Sequence, residues 1–253
     1  MNNLLLGGIV ALFSLKHLFI IFVLLIIPIL WVFNIKKDYK ILKISIYLLL
    51  LLELIRVMFL LIFDNFDISK DLSLQLCFTY IIVGFIYLKT KKEYLLSYLG
   101  SFGVIFGFTS IVFRDPNPFL SFDNIECYGY HGILFFIGLY IIKNYKIIFN
   151  FKCIIIIWLQ IIAGLLANYL IGHGSNYAFL NSFIFPGKEF HYNIEIFKIP
   201  FNGYSINDLL IFLLNNIGYF YYFILLIITA TLLSSLWLYF ISKCSCLLQK
   251  HRV

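Results

Sequence analysis

Seven stretches of nearly uninterrupted apolar residues divide the chain, at about 17–34, 41–63, 72–88, 94–113, 128–149, 151–171 and 208–241. Each is roughly 17 residues or longer, enough to cross a hydrocarbon core about 30 Å thick. The runs are continuous rather than alternating, so they read as helices and not as strands of a barrel. With 62% hydrophobic and 12% charged residues and a mean hydropathy of +0.98, the composition lies far from the roughly half apolar, quarter charged balance of a soluble domain. The expectation is an all-α, polytopic membrane helix bundle of about seven transmembrane helices, one integral domain over residues 1–253 and multi-pass in the cell membrane. The first residues, MNNLLLGGIVALFSLKHLF, lack a basic n-region and a small-residue cleavage site, so no removed signal peptide is expected. Residues 4–13 are apolar but too short to span.

Charge patterning orients the bundle. The first connection carries Lys36, Lys37, Lys40 and Lys43, the third Lys89, Lys91 and Lys92, the fifth Lys143, Lys146 and Lys152, and the tail Lys243, Lys250 and Arg252. The alternate connections hold only Lys16, Lys70, Arg114, Lys188 and Lys198, together with most of the acids, among them Asp64, Asp67, Asp71, Asp115, Asp123 and Glu126. Basic connections stay in the cytoplasm. The expected topology has the N-terminus outside and the C-terminus cytoplasmic. The net charge of +7 follows from this loop asymmetry, and no nucleic-acid partner is expected.

Polar residues gather at one depth. His17 lies at the outer end of span 1, Cys77 one to two turns below the outer end of span 3, and His131 at a similar depth in span 5. His173 and Asn176 follow span 6, in a long outer connection, 172–207, that also holds His191. Intramembrane ionisable residues are costly and mark function. Each also has a plainer reading. Cys77 with Ser73, four residues before it, makes a close-packing face; His131 is a hydrogen-bonded structural histidine; Asn176 caps a loop; the connection is a mere connector or a substrate-entry lid.

Glu53 and Arg56, three residues apart near the middle of span 2, pair on one helix face and brace a site from below, or Glu53 orients a histidine. Span 6 carries Gln160, Gly164 and Asn168 as one polar, small stripe. Gly103 and Gly107 form a GxxxG helix-packing pair. No carboxylate–histidine spacing supports a metal and no Gly-rich phosphate loop is present, so neither a metal nor a cofactor is expected. Of the five cysteines, Cys77 and Cys127 share the outer side, where a bridge between them is conceivable; Cys153, Cys244 and Cys246 face the cytoplasm, where thiols stay reduced.

Four stretches carry a family resemblance: FSLKHL (13–18), LSLQLC (72–77), YHGILFF (130–136) and SNYAFL (175–180). In order and spacing, over roughly 13–240, the chain resembles the transmembrane protein 164 family, including its bacterial YwaF-type members. The resemblance implies phospholipid acyl transfer through a Cys/His pair, as in the vertebrate member; a more distant group hydrolyses lipid esters with a Thr/His pair. By position the nucleophile is Cys77 and its partner His131. The family's proline before the Leu-x-Leu-Cys end is Ser73 here, and its Thr-Pro-Asp after span 4 survives only as Arg114-Asp115-Pro116.

The chemistry expected on this basis is thiolate attack on a lipid ester, with His131 moving the proton and His17, Asn176, Gln75 or His173 supporting the substrate or the oxyanion. Ser73, Gln160 and Asn168 would act as structural support, and membrane lipids are the expected partners. Two alternatives stand beside it. One is ester hydrolysis at the same site. The other is a non-enzymatic seven-span transporter or receptor with Glu53–Arg56 as its functional pair and Cys77 as packing.

Overall fold

The fold is seen in a computed structural model, which describes residues 14–63, 66–68, 71–72, 76–114, 121–171 and 206–250. Every regular element among them is helical: α1 (Leu15–Val32), α2 (Tyr39–Ile62), α3 (Leu76–Thr90), α4 (Glu93–Phe113), α5 (Phe122–Asn144), α6 (Phe151–Ile171) and α7 (Ile206–Lys250). Five of them, α1, α2, α4, α5 and α7, are long and apolar enough to cross a membrane; α3 and α6 contribute the shorter apolar segments Cys77–Thr90 and Phe151–Ala167. The chain is a membrane protein.

Burial ranks the helices. The apolar spans of α4 and α5 are 61% and 50% buried, against 22%, 17% and 11% for α1, α2 and α7. The pair α4–α5 therefore forms the centre. Helices α1, α2 and α7 pack on α5, while α3 and α6 pack on α4. Glycines allow the central approach. A Cβ on Gly107 would fall 2.6 Å from the Phe135 nitrogen and 2.7 Å from the His131 oxygen, and one on Gly138 would fall 2.5 Å from the Val104 nitrogen. These backbones touch because the side chains are absent, which is the small-residue logic of membrane packing. Gly103 of the same GxxxG pair lies under the Tyr80 hydroxyl, 2.7 Å from where its Cβ would stand.

Helix α1 contains one wide turn, Phe22–Ile26, in which the Ile27 N–H bonds to the Phe22 oxygen five residues back. Pro28 follows directly. Its ring excludes the carbonyl four residues earlier and it has no N–H to donate, and the wide turn absorbs that mismatch.

Three expectations are corrected by the structure. Helix α5 starts at Phe122, not near 128, because Ser121 caps it by accepting from the Asn124 N–H, with Asp123 in the first turn. The polar residues that made this segment read as a connection are thus inside the helix. Helix α7 runs on to Lys250, and its apolar segment to Gln249, past the end expected near 241. And Lys143, counted with the basic connections, is buried, its ammonium donating to the Val32, Phe33 and Ile35 carbonyls at 2.5, 2.7 and 2.7 Å. These oxygens close the C-terminal end of α1, where helix carbonyls lack helical partners and a cation is favoured. Tyr140, one turn earlier, clamps the following chain by donating to the Asp38 oxygen and accepting from the Asp38 N–H, both at 2.6 Å.

Lys143→Met keeps the apolar stem and removes the charge. It should lower stability by about 2–4 kcal/mol, because buried carbonyls lose a charged donor. Thermal unfolding in detergent checks this.

Candidate active site

Cys77 is in the first turn of α3, at the helix mouth rather than one to two turns inside. The sulfur faces His131 of α5, with Sγ and Nε2 3.2 Å apart. Two further bonds hold α3 at this point. The Tyr130 hydroxyl donates to the Cys77 carbonyl at 2.8 Å. Gln160 of α6 donates to Thr79 Oγ1 and, at 2.5 Å, to the Tyr98 hydroxyl. Tyr98 is fully buried on α4, so three helices fix the start of α3.

The ring of His131 is itself oriented. Nδ1 lies 2.7 Å from the Cys127 carbonyl oxygen one turn earlier, and 3.4 Å from the Cys127 sulfur. A carbonyl only accepts, so Nδ1 carries the hydrogen and Nε2 is left as a bare lone pair aimed at Cys77. A thiol, a basic nitrogen within reach of it, and a third group setting the tautomer together make an activated-nucleophile arrangement. Cys77 and Cys127 are both free thiols. They flank the imidazole instead of forming the bridge the sequence left open.

The pair opens on a cavity of about 700 Å³. Phe59 and Leu60 of α2, Leu72, Phe78 of α3 and Phe122 of α5 supply its apolar lining. Phe59 and Phe122 stack with ring centroids 3.7 Å apart, closing α2 onto the start of α5. The polar lining holds Glu53, Arg56, Asp71, Arg114, Asp123, Glu126 and Tyr130. Arg56 donates to Glu53 through Nε at 3.1 Å and Nη2 at 2.6 Å, and Nη2 also reaches the Asp71 carbonyl at 2.9 Å. The Asp71 carboxylate is 3.9 Å from Nη1. The intrahelical pair expected from the sequence is therefore present, and it ties α2 to the segment entering α3. Arg114 donates from Nε to the Asn124 side chain at 2.8 Å.

Of the residues singled out in the sequence, the structure brings together Cys77, His131, Glu53 and Arg56. Gln160 supports them from α6. His17 stands apart: it is fully buried where α1 meets α4, its Nε2 donating to the Ile111 oxygen at 3.0 Å, and it is not among the cavity-lining residues. Ser73, Gln75, His173 and Asn176 lie outside the described residues, as does the side chain of Asn168. The sequence reading did not single out Cys127, Tyr130, Glu126, Asp71 or Arg114 as site residues. A signal existed for two of them. Cys127 is four residues before His131 and Glu126 four before Tyr130, a shared-face spacing once the helix is known to begin at Phe122.

No curated protein and no solved structure matches the chain. A family model, that of the TMEM164 family, matches residues 12–239. That span takes in α1 through most of α7 and includes both members of the Cys77–His131 pair, and the chain belongs to the TMEM164 family.

Proposed function

We propose that the chain is a cell-membrane acyltransferase, close to the bacterial YwaF-type members of its family, that moves a fatty acyl group between lipids through Cys77. The observation that carries this reading is the 3.2 Å contact between Cys77 Sγ and a His131 Nε2 whose tautomer is set by the Cys127 carbonyl.

In the first half-reaction the Sγ proton passes to Nε2, and the thiolate attacks the ester carbonyl carbon. The S–C bond forms and the carbonyl π pair moves to oxygen. Arg56 and Arg114 supply positive charge in the cavity for that oxyanion or for a headgroup phosphate. The intermediate collapses by breaking the C–O bond, and the leaving alkoxide takes the proton back from Nε2. A thioester remains on Cys77. In the second half an acceptor hydroxyl gives its proton to Nε2 and attacks the thioester. The C–S bond breaks and the thiol is restored with that proton. The apolar lining around Phe59, Phe78 and Phe122 suits an acyl chain, and the charged lining suits a headgroup. With basic connections inside, this cavity opens toward the outer leaflet.

The test is reconstitution into liposomes holding a phospholipid with an isotope-labelled acyl chain and an unlabelled lyso-lipid. Mass spectrometry should find the label in newly diacylated lipid. Label appearing only as free fatty acid would make the protein a hydrolase. Label that stays in the donor would count against both.

A further inference from the structure

We infer that Glu126 is a positioning residue for the Cys77–His131 pair, its carboxylate stabilising the imidazolium that forms when the thiol gives up its proton. This rests on the catalytic reading of that pair.

Three observations carry the inference. Glu126 lines the same cavity as Cys77 and His131. It is half-buried on a membrane-spanning helix, where a carboxylate without a partner is expensive. And, unlike those of Glu53 and Asp71, which are tied to Arg56, its carboxylate makes no hydrogen bond or ion pair among the described residues. Among the described residues, the charges within electrostatic reach include Arg56 and Glu53 on α2, Arg114 beyond α4, and His131 on its own helix. Arg56 is already held by Glu53 and Asp71, and Arg114 by Asn124. His131 is the cavity-lining group on α5 that changes charge during the reaction, as its partner Cys77 does on α3.

The effect acts through space. His131 Nδ1 is committed to the Cys127 carbonyl, and Glu126 lies five residues before it, a rise of about 7.5 Å along the helix. In a partly buried cavity, a carboxylate that acts more strongly on the imidazolium than on the thiolate shifts the balance between thiol–imidazole and thiolate–imidazolium toward the ion pair, by about fivefold. No bond to Glu126 forms or breaks.

The test uses the full chain in lipid nanodiscs and iodoacetamide at neutral pH. Mass spectrometry of peptides follows alkylation of Cys77 apart from the other thiols, and label transfer is measured in parallel. His131→Gln should slow Cys77 alkylation about tenfold. Glu126→Gln should slow it about fivefold, and Glu126→Asp should restore most of the rate, which a purely structural role would not produce. The sign is diagnostic. If Glu126 acted only as a like charge beside the sulfur, Glu126→Gln would speed alkylation, and that outcome overturns the inference. An unchanged rate in Glu126→Gln, with His131→Gln slow, overturns it as well while leaving the pair intact. If wild type and His131→Gln alkylate alike, the pair is not coupled, and the catalytic reading falls with it.

Discussion

Cys77→Ala and His131→Ala should each reduce lipid acyl transfer by roughly 10⁴-fold or more, with folding retained. The two losses should not add, because thiol and base act as one unit in a single proton transfer. Cys77→Ala trims a half-buried side chain at a helix mouth. The Tyr130 bond to the Cys77 backbone carbonyl survives the substitution, so the local structure should hold. His131→Ala also removes the ring that contacts both cysteines, so unfolding midpoints must be measured beside the rates. Tyr130→Phe is the graded companion. It removes the hydroxyl that pins the start of α3 and leaves the ring, and a loss of about tenfold is expected as the sulfur wanders from Nε2. The outcome that counts against this account is a Cys77→Ala protein that still turns over.

Gly107→Ala should be far more damaging than its size suggests. The added methyl would stand 2.6 Å from the Phe135 nitrogen and 2.7 Å from the His131 oxygen, contacts with backbone that no rotamer change relieves. Helices α4 and α5 must separate, at a cost of about 1–3 kcal/mol or more. The separation also carries the backbone of His131 with it. A displacement of about 1 Å at a reacting pair costs on the order of 10²-fold in rate. Transfer should therefore fall more steeply than stability. Gly129→Ala is the control on the same helix, since nothing lies within 4 Å of its Cβ position; stability and transfer should both be preserved. Equal tolerance at the two positions would mean that the α4–α5 contact does not position the site.

The helical class was legible because apolar length is a strong signal, and α6 at Phe151–Ile171 matches the expected 151–171. The end of α5 that builds the site was not. Asp123, Asn124 and Glu126 depress the hydropathy of the start of that helix, so a hydropathy reading puts the boundary after them. The Ser121 cap decides it instead, and capping acts on backbone N–H groups that hydropathy does not sense. Missing that stretch hid Glu126 and Cys127 as neighbours of His131. Pairing between Cys77 and His131 was expected from their similar depth and their position within the family, but not their contact, because that approach depends on how α3 and α5 each dock on α4. The tautomer-setting contact from the Cys127 carbonyl is a property of backbone position, and no residue type announces it. His17 shows how packing redirects a side chain. A histidine at the right depth drew a substrate-facing role, while packing turns it into the α1–α4 contact, onto the Ile111 carbonyl. Lys143 shows the same for charge. Its place in a basic connection said nothing of the three carbonyls that bury it.

The central claim is that Cys77 carries the acyl group, and the most direct measurement looks for it there. Wild-type protein in liposomes of a single labelled phospholipid, without acceptor, is quenched in acid and digested, and the Cys77 peptide is weighed. The account predicts a mass increase equal to one labelled acyl chain on Cys77, removed by neutral hydroxylamine as a thioester must be, and missing in His131→Ala. Transfer that proceeds at full rate with Cys77 unmodified would contradict it and leave the thiol as packing between α3 and α5.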